Sequence, residues 1–157
     1  MLARAAKLFS LPVILGTLNG RHGPNAPTIR EITDILPDAE QFVRTNLNAW
    51  EDDRLVDAVG ATGRRKLIFA ALWTETALTF AVLSAIHEGF EAYPVVDAVG
   101  GTSRLAHNAA IARIAEAGAN STSCVQLVCE LQRDWGGSRT SAEARQMLSA
   151  MGTARGW

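Results

Sequence analysis

The chain has 157 residues, 15 Lys+Arg against 16 Asp+Glu, and 48% hydrophobic residues. That length suits one domain over 1–157, and that apolar fraction supplies a core and excludes a disordered segment. The lack of a basic surplus argues against nucleic acid or an anionic membrane surface as partner. Cys124 and Cys129 form neither a CxxC pair nor a disulfide framework, so a reducing compartment, the cytoplasm, is expected. No apolar run reaches the roughly 18 residues of a membrane span.

In chain order, Met1–Arg30 carries Arg4, Lys7, Arg21 and Arg30 with no acid before Glu31, a composition that transit peptides share. The preferred reading is a helix over Leu2–Phe9 that runs into a strand over Leu11–Thr17. Gly23–Pro27 is a loop, and Thr28 with Glu31 has the spacing of a capping box opening a helix stopped by Pro37. Gln41–Arg44 reads as a short strand. Asp52 and Asp53 open the next helix, with Leu55, Val56 and Val59 as its inner face and Gly63 at its end. Lys66–Leu72 is a continuous apolar run, expected of a strand covered on both faces. An apolar helix over Thr74–Glu88, a strand over Ala92–Asp97 and a helix over Thr102–Ala117 follow. Ser121–Leu127 is the last strand candidate, and helical stretches at Val128–Trp135 and Ser141–Met151 close the series. Alternation of this kind predicts crossover units in a parallel, doubly wound α/β sheet, with ligands bound beyond the carboxyl ends of the strands.

The sharpest candidate for chemistry is Leu72-Trp73-Thr74-Glu75-Thr76-Ala77, a strand running through a tight turn into a helix. Free N–H groups and the dipole at such a turn lower a thiol's pKa and stabilise an oxyanion. The turn calls for Cys or Ser, and the chain offers Ala77. Thr74 reads as a helix cap. Cys124 and Cys129 read as small buried hydrophobes. His22, His87 and His107 are scattered without metal-ligand spacing, so neither a metal nor another cofactor is expected. Gly100–Ser103 reads as a turn with a Thr or Ser cap rather than an anion site.

Ala70–Leu78 resembles the segment of the isochorismatase-like cysteine hydrolases, YcaC-type branch, in which a strand ends in a Thr-Glu-x-Cys turn. Asn48–Asp52, Asp97–Ser103 and Glu130–Trp135 support the resemblance, which runs in order from about Leu2 to Trp135. It implies a sheet of order 3-2-1-4-5-6 and cofactor-free hydrolysis of an amide-like bond by an Asp–Lys–Cys triad. By position the basic residue falls on Arg44 and the nucleophile on Ala77. The oxyanion turn falls on Trp73 and Thr74, with a cis peptide at Trp73–Thr74, and the pocket falls on Asn48 and Trp50. Arg44 is permanently cationic, so it stabilises charge without shuttling protons. The family's Asp ends its first strand, and the resemblance begins after that strand. The expected molecule is thus a shortened or degenerate member, catalytically impaired. The alternative is a small-molecule-binding subunit, or one that assembles with itself or with an intact relative. Without its first strand the sheet would carry two facing backbone rows about 10 Å apart. Unsatisfied groups cost roughly 1–3 kcal/mol each. The two strands are therefore expected to close up, or a segment from another copy to fill the slot, or the protein to start further upstream. Pro94 also removes a ladder donor from what should be an interior strand.

Overall fold

The computed structural model describes residues 1–18 and 27–152; the expected loop at 23–26 and His22 lie outside them. The elements are α1 (Leu2–Leu8), β1 (Leu15–Leu18), α2 (Arg30–Thr33), β2 (Gln41–Arg44), a 3₁₀ turn (Ala49–Glu51), α3 (Asp53–Ala61) and β3 (Lys66–Phe69). They continue with a π turn (Thr74–Leu78), α4 (Thr79–His87), β4 (Glu91–Pro94), α5 (Arg104–Glu116), α6 (Cys124–Gln132) and α7 (Ser141–Ala150).

Local chemistry accounts for most of these boundaries. The Asp52 carboxylate accepts from the Arg54 backbone N–H and starts α3, while Gly63, at φ 64°, turns the chain out of it. Ser103 and Ser123 cap α5 and α6 in the same way, each accepting an N–H three residues on. The expected capping box at Thr28 does not form. The hydroxyls of Thr28 and Thr17 lie 3.0 Å apart, tying this segment to β1, and α2 shrinks to four residues capped by Ile29 without a side-chain bond.

All the strand pairs are parallel, and they form two separate two-stranded sheets, β1–β2 and β3–β4. The helices form two layers. Leu55 and Val59 of α3 share a core with Ala81 and Ala85 of α4, and Leu78 and Val82 meet Ala92 of β4 and Ile114 of α5. On the opposite face Val95 meets Cys124 and Leu127 of α6 beside Leu2, and Ala5 of α1 packs with Val128, Ala144, Met147 and Leu148. The end of α2 shares a groove with α1 and α7, which places it in this second layer.

Right-handed crossovers then fix the order. With α4 in the first layer, β4 lies to one side of β3. With α2 in the second layer, β2 lies on the opposite side of β1. The α3 crossover carries the chain from β2 past β1 to β3. The order is therefore β2-β1-gap-β3-β4, with Thr122 bridging Val95 at the outer border. This is the doubly wound arrangement expected, with its strands in two separate parallel pairs. β1 and β3 do not pair, so the expected closing up does not occur.

Two strand expectations are corrected. Lys66–Leu72 is not covered on both faces: Lys66, Ile68, Ala70 and Leu72 are exposed and alternate with the half-buried Leu67, Phe69 and Ala71. Ser121–Leu127 is not a strand, and only Thr122 bridges before α6 begins. The Asn120 and Thr122 N–H groups donate to the Ala92 and Pro94 carbonyls, so Pro94 faces this border and brings no N–H of its own to it.

Candidate functional site

The π turn follows β3 directly. The Leu78 N–H donates to Trp73 O at 3.3 Å, and the Thr79 hydroxyl donates to Thr74 O at 2.6 Å, closing a turn wider than the α-helix expected from Thr74 onward. A cis peptide lies at Leu72–Trp73, one bond earlier than expected.

A clamp from the start of α5 holds this turn. The Thr74 N–H donates to Gly100 O at 2.9 Å. The Glu75 carboxylate accepts from both the backbone N–H, at 2.9 Å, and the hydroxyl of Thr102. These bonds, the hydroxyl's foremost, hold the Glu75 carboxyl below its ordinary 4.5. Thr74 does not cap the helix. Its hydroxyl shares a 2.9 Å hydrogen bond with His107 Nδ1, and the residue is fully buried. Gly101 is required here, because a Cβ would stand 2.7 Å from Glu75 Oε2 and 3.0 Å from His107 Cβ.

Ala77 is buried within the turn, whereas Trp73, at its start, is 54% exposed beside Leu72 at 75%. Asn48 and Trp50 brace the first helix layer. Asn48 caps the 3₁₀ turn through the Trp50 N–H and donates from Nδ2 to Ser84 Oγ of α4 at 3.0 Å. Trp50 packs its ring at 6.2 Å from Phe69 and 5.7 Å from Phe90.

Arg44, the last residue of β2, is 8% exposed. Its Nη1 donates to the carbonyls of Asn46 and Leu47, while Nε is buried without a partner. Burial pushes the guanidinium's pKa down, partly offset by Asp52. Arg44 lines a cavity of about 400 Å³ with Asn46, Glu51, Asp52 and Arg54. The Arg54 side chain binds Asp52, and that hydrogen bond lowers the Asp52 carboxyl. The structure thus gathers the π turn with the start of α5, and Arg44 with its own loop; no hydrogen bond joins the two among the described residues.

Sequence reasoning missed Glu75, Thr102 and His107 as one assembly. Glu75 and Thr102 lie 27 residues apart, and His107 and Thr74 33, so no local spacing announces them. Cys124 is buried as expected, and its thiol is pushed up to about 11 by burial and then by Asp97. Among the described residues no cluster of His, Cys, Asp or Glu is suited to a metal, and no helix is long and apolar enough to cross a membrane.

Parallel strands joined through two helix layers, with a wide turn after a strand end, define an isochorismatase-like α/β class of protein. The profile of the Isochorismatase domain matches residues 1–126, and the chain belongs to that family. It is similar to the probable hydrolase YcaC of Escherichia coli K12, with 41% identity over 131 residues. That match covers 83% of this chain and 62% of the relative's length. The solved E. coli YcaC structure, described as an octameric hydrolase of unknown specificity, superposes with a TM-score of 0.85 at 36% identity, covering 97% of this chain and 79% of that one. YcaC from Pseudomonas aeruginosa, solved with hexane-2,5-diol and covalent acrylamide, gives 0.85 at 35% identity, covering 97% and 80%.

Proposed function

We propose that this chain keeps the frame of an isochorismatase-family hydrolase and, with Ala77 in the nucleophile's place, lacks its covalent step. The buried Ala77 methyl carries this reading. It has neither lone pair nor ionisable proton, and it sits in a turn that Gly100, Thr102 and His107 hold through Thr74 and Glu75. No neighbour replaces it. Thr74 is fully buried, so its hydroxyl has no path to a substrate despite the nearby imidazole. Cys124 is protonated at neutral pH. In an intact relative the thiolate would attack an amide-like carbonyl, the turn's N–H groups would hold the oxyanion, and a cation at the Arg44 position would steady the charge.

The test is Ala77→Cys. The variant is expected to take up acrylamide at position 77, read by peptide mass spectrometry, while the unsubstituted chain gains no adduct in the turn. Hydrolysis of a panel of activated amides and esters by the unsubstituted chain, persisting after Cys124→Ala and Cys129→Ala, would overturn the reading.

A second reading, a binding or assembly subunit, draws on the exposed Leu72, Trp73 and Leu105, the last 81% exposed. These suit a subunit contact, whether with further copies or with an intact relative, and the cavity beside Arg44 suits a small polar ligand. Sedimentation of the chain alone and mixed with E. coli YcaC separates these partners.

A further inference from the structure

We propose that His107 is a positioning residue for position 77, acting through Thr74. The service to position 77 rests on the reading of Ala77 as the nucleophile's place; the hold on the turn does not. Thr74 is fixed at three atoms. Its N–H donates to Gly100 O at 2.9 Å, its carbonyl accepts from the Thr79 hydroxyl at 2.6 Å, and its own hydroxyl shares the 2.9 Å bond with His107 Nδ1. Among the described residues, His107 is the only side chain from another element that bonds Thr74. Thr74 has no exposed surface, so water does not stand in for the imidazole, and without it the hydroxyl would be buried and unmatched.

The approach of the imidazole is built into the start of α5. His107 lies one turn inside that helix, its N–H on Ser103 O at 2.9 Å and the Ser103 cap behind it, so the helix fixes the base of the ring. Gly101 lets this segment close on the turn, since a Cβ there would meet both Glu75 Oε2 and His107 Cβ. Thr102 holds Glu75 at the exposed edge of the clamp, and His107 holds Thr74 at its buried edge. From Thr74 the hold passes to position 77. The Thr79 hydroxyl on Thr74 O and the Leu78 N–H on Trp73 O enclose Ala77 between them. The second of these bonds is 3.3 Å long, beyond the usual backbone distance, so the turn supplies little rigidity of its own. Moving Thr74 moves the anchor of the shorter bond, and residue 77 with it.

The experiment uses the full chain. Amide exchange at Leu78 reads the turn, and exchange at Val59 of α3 is the control. His107→Gln and Thr74→Val should each speed exchange at Leu78 about tenfold, the factor one net hydrogen bond supplies, and leave Val59 unchanged. The double variant should be no faster than either single one. His107→Asn carries its amide where Nδ1 stands and should restore the parental rate, whereas Gln carries its amide at the reach of Nε2. A ring that only filled space would give the opposite order, because Gln is closer to His in volume. In an Ala77→Cys background, acrylamide uptake at position 77 should slow by a comparable factor with His107→Gln and recover with His107→Asn. Equal rates for Asn and Gln, additive effects in the double variant, or matching acceleration at Val59 would overturn the proposal. Uptake at position 77 that ignores His107 would overturn the service to that position. If Ala77→Cys takes no adduct in any background, the nucleophile reading falls, and exchange at Leu78 still decides whether His107 holds the turn.

Discussion

The π turn and the Arg44 loop lie at the ends of neighbouring halves of one fold, and they are built to different standards. At the turn two side chains are held from across the fold, Thr74 by His107 and Glu75 through one carboxylate oxygen by Thr102, with the Thr74 backbone on Gly100, while Glu75 Oε2 is buried without a partner. At Arg44 the cation bonds only the carbonyls of its own loop, two and three residues on, and leaves Nε buried and unmatched. Long-range bonds fix one element relative to another. Local ones fix only a loop's internal shape. The turn is thus tied to the start of α5, whereas Arg44 is tied only to its own loop.

The largest effect that separates these regions should come from Leu78→Ala. Leu78 is 1% exposed in the core under the turn, and its truncation is expected to cost about 3 kcal/mol in urea unfolding. Gly101→Val should cost about 2 kcal/mol by driving a side chain into Glu75 and His107. A variant as stable as the parent would show that the clamp is loose. Glu75 gives the comparison a pH signature. Its folded pKa is depressed, so its contribution is whole above the ordinary 4.5 and fades as the pH falls through the lowered folded value. Glu75→Gln should therefore flatten the acid side of a melting-temperature profile. At the other site Arg44→Met should change stability by no more than about 1 kcal/mol, because the desolvation cost of the buried cation, with Nε unpartnered, offsets its bonds to the loop carbonyls. A loss of several kcal/mol would end the contrast. Val43→Ala, at a side chain 42% exposed, should stay within about 0.5 kcal/mol.

Elements with a local cause were legible in the sequence. The strand at Gln41–Arg44 has the expected bounds, because its alternating Phe42 and Arg44 face inward. The helix at Asp53 follows from the Asp52 cap. The end of the fold's last sheet border was not legible, although Ser123 and Gln126 carry the spacing of a helix cap and outweigh the apolar run between them. Thr28 has comparable spacing and fails, because a tertiary partner at Thr17 competes for its hydroxyl. The family motif gave the place of the turn at Thr74–Ala77, while its width and its clamp depend on contacts 27 and 33 residues away. The resemblance also located the break between β1 and β3, which lie in separate sheets.

Pro94 meets Thr122 at the outer border of the sheet, and two residues on α6 starts at Cys124, whose N–H is taken by Asp97 at 2.7 Å and whose side chain packs with Val95 and Leu2. A thiol so enclosed, with its pKa near 11, offers almost no thiolate to peroxide or to another chain's cysteine. Burial first, and Asp97 second, thus keep this thiol protonated.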